Sequence, residues 1–161
     1  MRLSNFTRGL SVVEIIVSAA IILTAVTGLA GAWQLYLKVS NLSTEYDIAA
    51  LLTEEGGEAL TVMRDTSWSS NIAPLSLNTP YYLYWNGTTY QATTTQQINQ
   101  NSYVRTITFS SIYRDTNDNI TSSGGTLDAN TRDVMITVYP VGNASTTLAQ
   151  SEMLIHNVYT N

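Results

Sequence analysis

Arg8-Gly9-Leu10-Ser11-Val12-Val13-Glu14 is the stretch whose reading decides how this chain is built, because a long apolar run follows it directly. Residues 15–37 contain no Asp, Glu, Lys or Arg. As a helix that run extends about 35 Å, enough to cross a ~30 Å hydrocarbon core. One acid, Glu14, stands just inside its front. A carboxylate at membrane depth is costly, which makes Glu14 a functional candidate. The rest of the chain is polar and rich in Tyr and Thr, and reads as a domain carried by the helix.

The chain has 161 residues, with 7 basic and 12 acidic side chains and a formal net charge of −5. Once leader and span are set aside, one outer domain of roughly 120 residues remains. There is no cysteine, which excludes a disulfide framework and a thiolate metal site. Losing Arg2 and Arg8 with a cleaved leader would make the remainder more acidic still. Such a domain is a poor nucleic-acid binder, since phosphate contacts need Lys and Arg. Its charge favours solubility.

Residues 1–9 are short and carry Arg2 and Arg8. In an ordinary secretory signal peptide the cleavage site follows the apolar stretch. Here the candidate site, Gly9, precedes it, so the apolar helix would be retained in the mature protein. Basic residues ahead of the span hold that end in the cytoplasm and send the C-terminus outside.

Gly9-Leu10-Ser11-Val12-Val13-Glu14, after a basic leader and before some 20 apolar residues, resembles the signal of type IV pilins and type II secretion pseudopilins. The resemblance covers roughly the first 35 residues. It implies that a prepilin peptidase cuts after Gly9 and methylates the new amine of Leu10. It also implies that Glu14 is the glutamate the family uses in assembly. Leu10 stands where Phe or Met is commoner. Gly31, with Gly28 nearby, stands where many pilins have a helix-breaking proline, so these two glycines are the candidate points of helix loosening. The physics fits the family role of Glu14. A carboxylate buried among apolar helices needs a cationic partner or it protonates. The freed amine of Leu10 on a neighbouring subunit is such a partner, and cleavage creates it. The alternative is an uncut signal-anchor with an incidental Glu.

Past the span the helical pattern continues. Leu35, Val39, Leu42, Tyr46, Ala49, Gly56, Leu60 and Met63 follow steps of three and four, with a weak beat at Thr53. Lys38, Glu45, Asp47, Glu54, Glu55 and Glu58 lie off that face and read as solvated. Helix over residues 10–64 would be about 80 Å long. Gly56-Gly57 is its weak point, costing about 2 kcal/mol against two alanines. Either the helix bends there or something packs closely against it.

Residues 65–80 read as an irregular link, with Trp68 as a packing residue. Residues 81–85, Asn86-Gly87 and residues 88–92 carry a hairpin signal. Residues 93–101 read as a loop. Residues 103–113 read as a strand with Ile107 and Phe109 on one face and a bulge near Ser110-Ser111. Residues 132–141 form the clearest strand, with Val134, Ile136 and Val138 sharing a face. Gly142-Asn143 marks a turn, and residues 148–159 form the last strand. The expected fold class is α+β and pilin-like: a long N-terminal transmembrane helix packed on an antiparallel sheet. The expected parts are a leader (1–9), the transmembrane and assembly half of the helix (10–37), and an extracytoplasmic domain (38–161) with helix over 38–64.

Little in the sequence offers catalysis. His156 is the one histidine, so neither a Cys-His pair nor a His-rich zinc site can be built within one chain. No nucleophile motif surrounds any serine. Asp115, Asn117 and Asn119 alternate as in calcium loops, and some pseudopilins bind calcium in sheet loops. Ile120 and Thr126 stand where an EF-hand has Gly and Glu. The preferred reading is a turn that caps its own backbone, with no metal and no cofactor assigned. Asn41, Asn86, Asn119 and Asn143 each begin an Asn-x-Ser/Thr triplet.

The resemblance implies a structural, non-enzymatic subunit, and a minor subunit is preferred over the major one. Its partners would be other pilin subunits, the prepilin peptidase, an assembly ATPase and a polytopic platform protein. It would sit in the cytoplasmic membrane as a single-pass protein and pass from there into a cell-surface or periplasmic filament. A pseudopilin of a secretion or DNA-uptake machine is the alternative with the same chemistry. A membrane-anchored adhesin or binding domain that never polymerises is the alternative of another class, and an anchored enzyme comes last for want of a site.

Overall fold

The computed structural model describes residues 11–100, 102–121 and 124–158. The chain divides into two units, residues 1–43 and 44–161. Helix α1, Val12–Thr66, belongs to both. The first proline in the sequence is Pro74, so no residue of α1 lacks a backbone donor or clashes with the preceding turn. In the first unit every described residue is helical or at the helix start, and every one is exposed.

In the second unit the same helix has a buried side made of Ala49, Leu52, Thr53, Gly56, Ala59, Leu60 and Met63. The weak beat at Thr53 is accommodated because its hydroxyl donates to the Ala49 carbonyl over 2.8 Å, so that hydroxyl is not buried without a partner. Leu35, Val39, Leu42 and Tyr46 continue the pattern upstream but are exposed. The helix ends two residues later than expected. A four-residue helix, α2 (Trp68–Asn71), follows, capped by Ser67, whose side chain accepts from the Ser70 N–H. Trp68 is buried in the core, as a packing residue should be.

The strands are β1 (Pro80–Trp85), β2 (Tyr90–Thr93), β3 (Ile98–Asn99), β4 (Tyr103–Arg114), β5 (Ile120–Thr121), β6 (Thr126–Pro140) and β7 (Ala149–His156). They form one antiparallel sheet in the order β2-β1-β4-β6-β7. β6 pairs along one edge of β4. The other edge is shared piecewise, by β3 near Tyr103, β1 near Ile107 and β5 near Tyr113. Leu60, Ile107, Phe109, Val134 and Ile136 meet in one core cluster, and Ala49, Leu52, Tyr103 and Val138 in a second. Each large apolar side chain so buried contributes about 1.5–3 kcal/mol. The fold is α+β, one long helix and a seven-stranded antiparallel sheet.

The expected bulge is present. The β4–β6 register shifts between Ser111 and Ile112: Ser111 pairs with Arg132, but Ile112 pairs with Asp128. That shift lets Ile112 be buried although its place in the alternation opposes that of Ile107 and Phe109. The hairpin is also present, with a longer turn than a two-residue Asn-Gly link. Trp85 pairs with Tyr90, and the Asn86 side chain accepts from the N–H groups of both Thr88 and Thr89. That carboxamide ties down Thr88 and Thr89, so β2 starts at Tyr90. Gly87 supplies the positive φ, 97°, that the turn requires. Two further expectations are corrected. β6 starts at Thr126, six residues before the apolar pattern does, because its polar first part is held by β4 beyond the bulge. The stretch 93–101 contains β3, which a free piece of the β4 edge holds in place.

Candidate functional site

The first turn of α1 is closed by two side-chain caps. Ser11 Oγ accepts from the Val13 N–H at 3.3 Å, and Glu14 Oε2 accepts from the Ser11 N–H at 2.9 Å. This is a variant of the Ser-x-x-Glu capping box, with the hydroxyl on the Val13 N–H in place of that of Glu14, and it satisfies donors that a helix start otherwise leaves open. The carboxylate also lies at the positive end of the helix dipole. Glu14 thus has a local role in addition to the one its position near the apolar run implies. Gly9 and Leu10 lie outside the described residues.

Behind Glu14 the helix surface is apolar and unburied. Ile15, Ile16, Val17, Ile21, Ile22 and Leu23 are each more than half exposed. The two threonines of this stretch do not break its apolar character. Thr24 donates to the Ile21 carbonyl at 2.8 Å, and Thr27 to the carbonyls of Leu23 and Thr24 at 3.0 Å. Both hydroxyls are therefore satisfied without water, which a hydrocarbon surrounding demands. Gly28 and Gly31 remain within helical turns, and a Cβ at either would meet nothing within 4 Å. Trp33 and Tyr36 follow with ring centroids 6.0 Å apart, and Lys38 comes next. Among the described residues this is the one helix long and apolar enough to cross a membrane.

In the second unit an unexpected residue sits at the junction of α1 and the sheet. Arg105 of β4 is 2% exposed. Its Nη1 donates to the Leu52 carbonyl of α1 at 2.8 Å, and its Nη2 lies 3.5 Å from Glu55 Oε1. The same Glu55 oxygen accepts from the Tyr90 hydroxyl at 3.0 Å. Arg105 Nε is buried without a partner. Burial, and after it the hydrogen bond to Glu55, push the Tyr90 phenol above its usual range. Glu55 is half-buried, where Glu54 and Glu58 are exposed. It ties helix to sheet. The sequence carried a signal for this: Arg105 has the same parity as Ile107 and Phe109, and so belongs to the inward face.

Gly56 explains how an arginine fits there. A Cβ at Gly56 would lie 3.0 Å from Arg105 Cδ and 3.2 Å from Ile136 Cγ2. Of the two accounts of Gly56-Gly57, close packing is the one seen, and α1 runs through both positions without interruption.

The loop after β4 uses its oxygens on itself. Asp115 Oδ1 accepts from the N–H groups of Asn117 at 2.8 Å and Asn119 at 2.9 Å. Those two backbone donors, Asn119 first, hold the Asp115 carboxyl below the usual carboxylate range. Arg114 donates to Asp128 Oδ2 at 2.7 Å and to the Asp118 carbonyl at 2.9 Å. The Thr131 hydroxyl and Arg114 together hold the Asp128 carboxyl low. This is the self-capping turn, in which Asp115 caps the backbone of its own loop. Among the described residues no group of three or more His, Asp or Glu converges on a point where a metal would sit. His156 is exposed at the end of β7.

No protein-family model matches this chain, and no curated protein or solved structure matches it either. What the fold itself establishes is an α+β protein with an unburied apolar helix near its N-terminus, long and apolar enough to span a bilayer.

Proposed function

We propose that this chain is a structural subunit of a type IV pilus-like filament. It would be cut after Gly9 by a prepilin peptidase and methylated on Leu10. An assembly ATPase and its platform protein would then move it from the cytoplasmic membrane into the filament. The observation that carries this reading is the pairing of Glu14 with an entirely unburied apolar helix surface in the first unit. Such a surface needs lipid or other helices to cover it. Glu14 uses one oxygen for its own cap, and its Oε1 is left to accept the amine of Leu10 from a neighbouring subunit. Trp33 and Tyr36 supply the aromatic residues expected at a membrane boundary.

The capping box sharpens the test. Glutamine can close the same box, but it carries no charge. Glu14→Gln therefore keeps the helix start and loses the ion pair, whereas Glu14→Ala loses both. Stranding the amine in an apolar bundle costs roughly 3–5 kcal/mol. In the native cells both variants should insert and be cleaved, because Gly9 is intact. Glu14→Ala should be nearly missing from the sheared surface fraction, with Glu14→Gln between it and wild type. Equal incorporation of Glu14→Ala would end the charge-pair mechanism. A wild-type mature chain that does not begin at Leu10 would end the pilin reading.

A further inference from the structure

Lys38 is the one basic residue in α1 before Arg64, and it lies among exposed apolar side chains: Leu35, Tyr36, Leu37, Val39 and Leu42. Neither a hydrogen bond nor an ion pair holds it among the described residues. The second unit carries the opposite surface. An open groove of about 650 Å³ runs beside α1, lined by Glu54, Gly57, Glu58, Thr61, Val62 and Met153. Its acids, Glu54 and Glu58, stand one helical turn apart and are exposed. Leu51, at 62% exposed, and Val62, at 48%, flank them on the same side of the helix. Gly57 lines the groove beside Met153, whose Sδ a Cβ there would meet at 3.5 Å, an ordinary contact.

From this complementarity we infer that the groove receives a second copy of this chain, with Lys38 of that copy seated between Glu54 and Glu58. The inference rests on the filament reading and names where adjoining copies touch. The two surfaces match in kind and in spacing. On one, Leu35, Lys38 and Leu42 follow at steps of three and four. On the other, Leu51, Glu54, Glu58 and Val62 follow at steps of three, four and four. An ammonium between two carboxylates is flanked on each side by aliphatic contact. An exposed ion pair alone contributes little, so the apolar flanks supply area and the charges set position. Lys38 is the cation this chain offers from an exposed apolar stretch, which makes a copy of the chain the fitting occupant.

The absence of cysteine gives a clean test. Full-length Leu35→Cys and Leu51→Cys variants are co-expressed in the native cells, and the mixed disulfide dimer is read by non-reducing blot after mild oxidation. The mixed dimer should form. Lys38→Glu in the Leu35→Cys chain should lower its yield at least ~10-fold by placing like charges together. Glu54→Lys with Glu58→Lys in the Leu51→Cys chain should restore it. Loss without restoration overturns the proposal and assigns Lys38 to lipid phosphates. An unchanged yield also overturns it, and if the chain is still found in sheared fibres the filament reading survives. Absence of both the dimer and the sheared protein overturns the filament reading and the contact together.

Discussion

Arg105 lies directly beneath Gly56: a Cβ added to that glycine would stand 3.0 Å from the arginine's Cδ. The arginine cannot swing away, because its guanidinium is anchored on the Leu52 carbonyl and the whole residue is 2% exposed. One missing methyl group on the helix thus makes room for a buried cation on the sheet.

The second unit should fold alone. Every buried residue among those described lies between Ala49 and Ile155. A chain of residues 38–161 should therefore be a soluble monomer with helix and sheet signals in circular dichroism and a single cooperative unfolding transition. Association driven by the remaining helix, or lack of a transition, would contradict this.

In that fragment the two adjacent glycines should behave oppositely. Gly57→Ala meets only an ordinary contact with Met153 and should gain about 0.5–1 kcal/mol from helix propensity. Gly56→Ala gains the same propensity but overpacks Arg105 and Ile136, and should lose about 1–3 kcal/mol. Urea midpoints of the two variants measure the contrast, and equal shifts would refute it.

Arg105 should matter more for its volume than for its charge. Arg105→Met keeps most of the volume and removes the unpartnered Nε, so its cost should be about 1 kcal/mol or less. Arg105→Ala leaves a cavity under Gly56 and should cost about 3–5 kcal/mol. A methionine variant as unstable as the alanine one would show that the bonds to Leu52 and Glu55 dominate.

Acid should loosen the β4–β6 end of the sheet. The Asp115 and Asp128 carboxyls are both held below their ordinary range by hydrogen bonds in the folded state. A depressed pKa contributes stability that is complete above the unfolded value, about 3.9, and is lost as pH falls through the folded one. Denaturation midpoints from pH 6 to pH 2 should therefore fall more steeply for wild type than for the Asp115→Asn, Asp128→Asn double variant. Parallel curves would mean these carboxyls play no part in the acid response.

Much of this architecture could be read from residue order. The three-four steps from Ala49 to Met63 and the alternation of Val134, Ile136 and Val138 each report burial directly, and the apolar run reports a helix whose surface stays unburied. The phase change at Ser110-Ser111 located the register shift, because a side chain can be turned inward only by slipping the ladder. β3 and β5 were not legible: each is two residues long and exists because β4 has free edge to offer. The early start of β6 was hidden for the same reason, since its polar residues pair by backbone alone. Arg105 broke the rule that charge points outward, and its partner is a main-chain carbonyl that no sequence pattern marks. The cap that Ser11 and Glu14 form at the start of α1 was not read from the sequence, although Ser-x-x-Glu before an apolar run is a pattern that marks it.

Thr24 and Thr27 carry a consequence for motion. From position 19 to position 32 they are the only polar side chains, and both hydroxyls are turned back onto their own helix. A neighbouring helix would find no hydrogen bond to grip along that stretch, only alkyl groups and the bare backbone of two glycines. Displacing one such helix along another then breaks no polar contact at any step, so the middle of the run behaves as a slip plane. On the filament reading, whatever halts the sliding would act from its two ends, at Glu14 and Lys38.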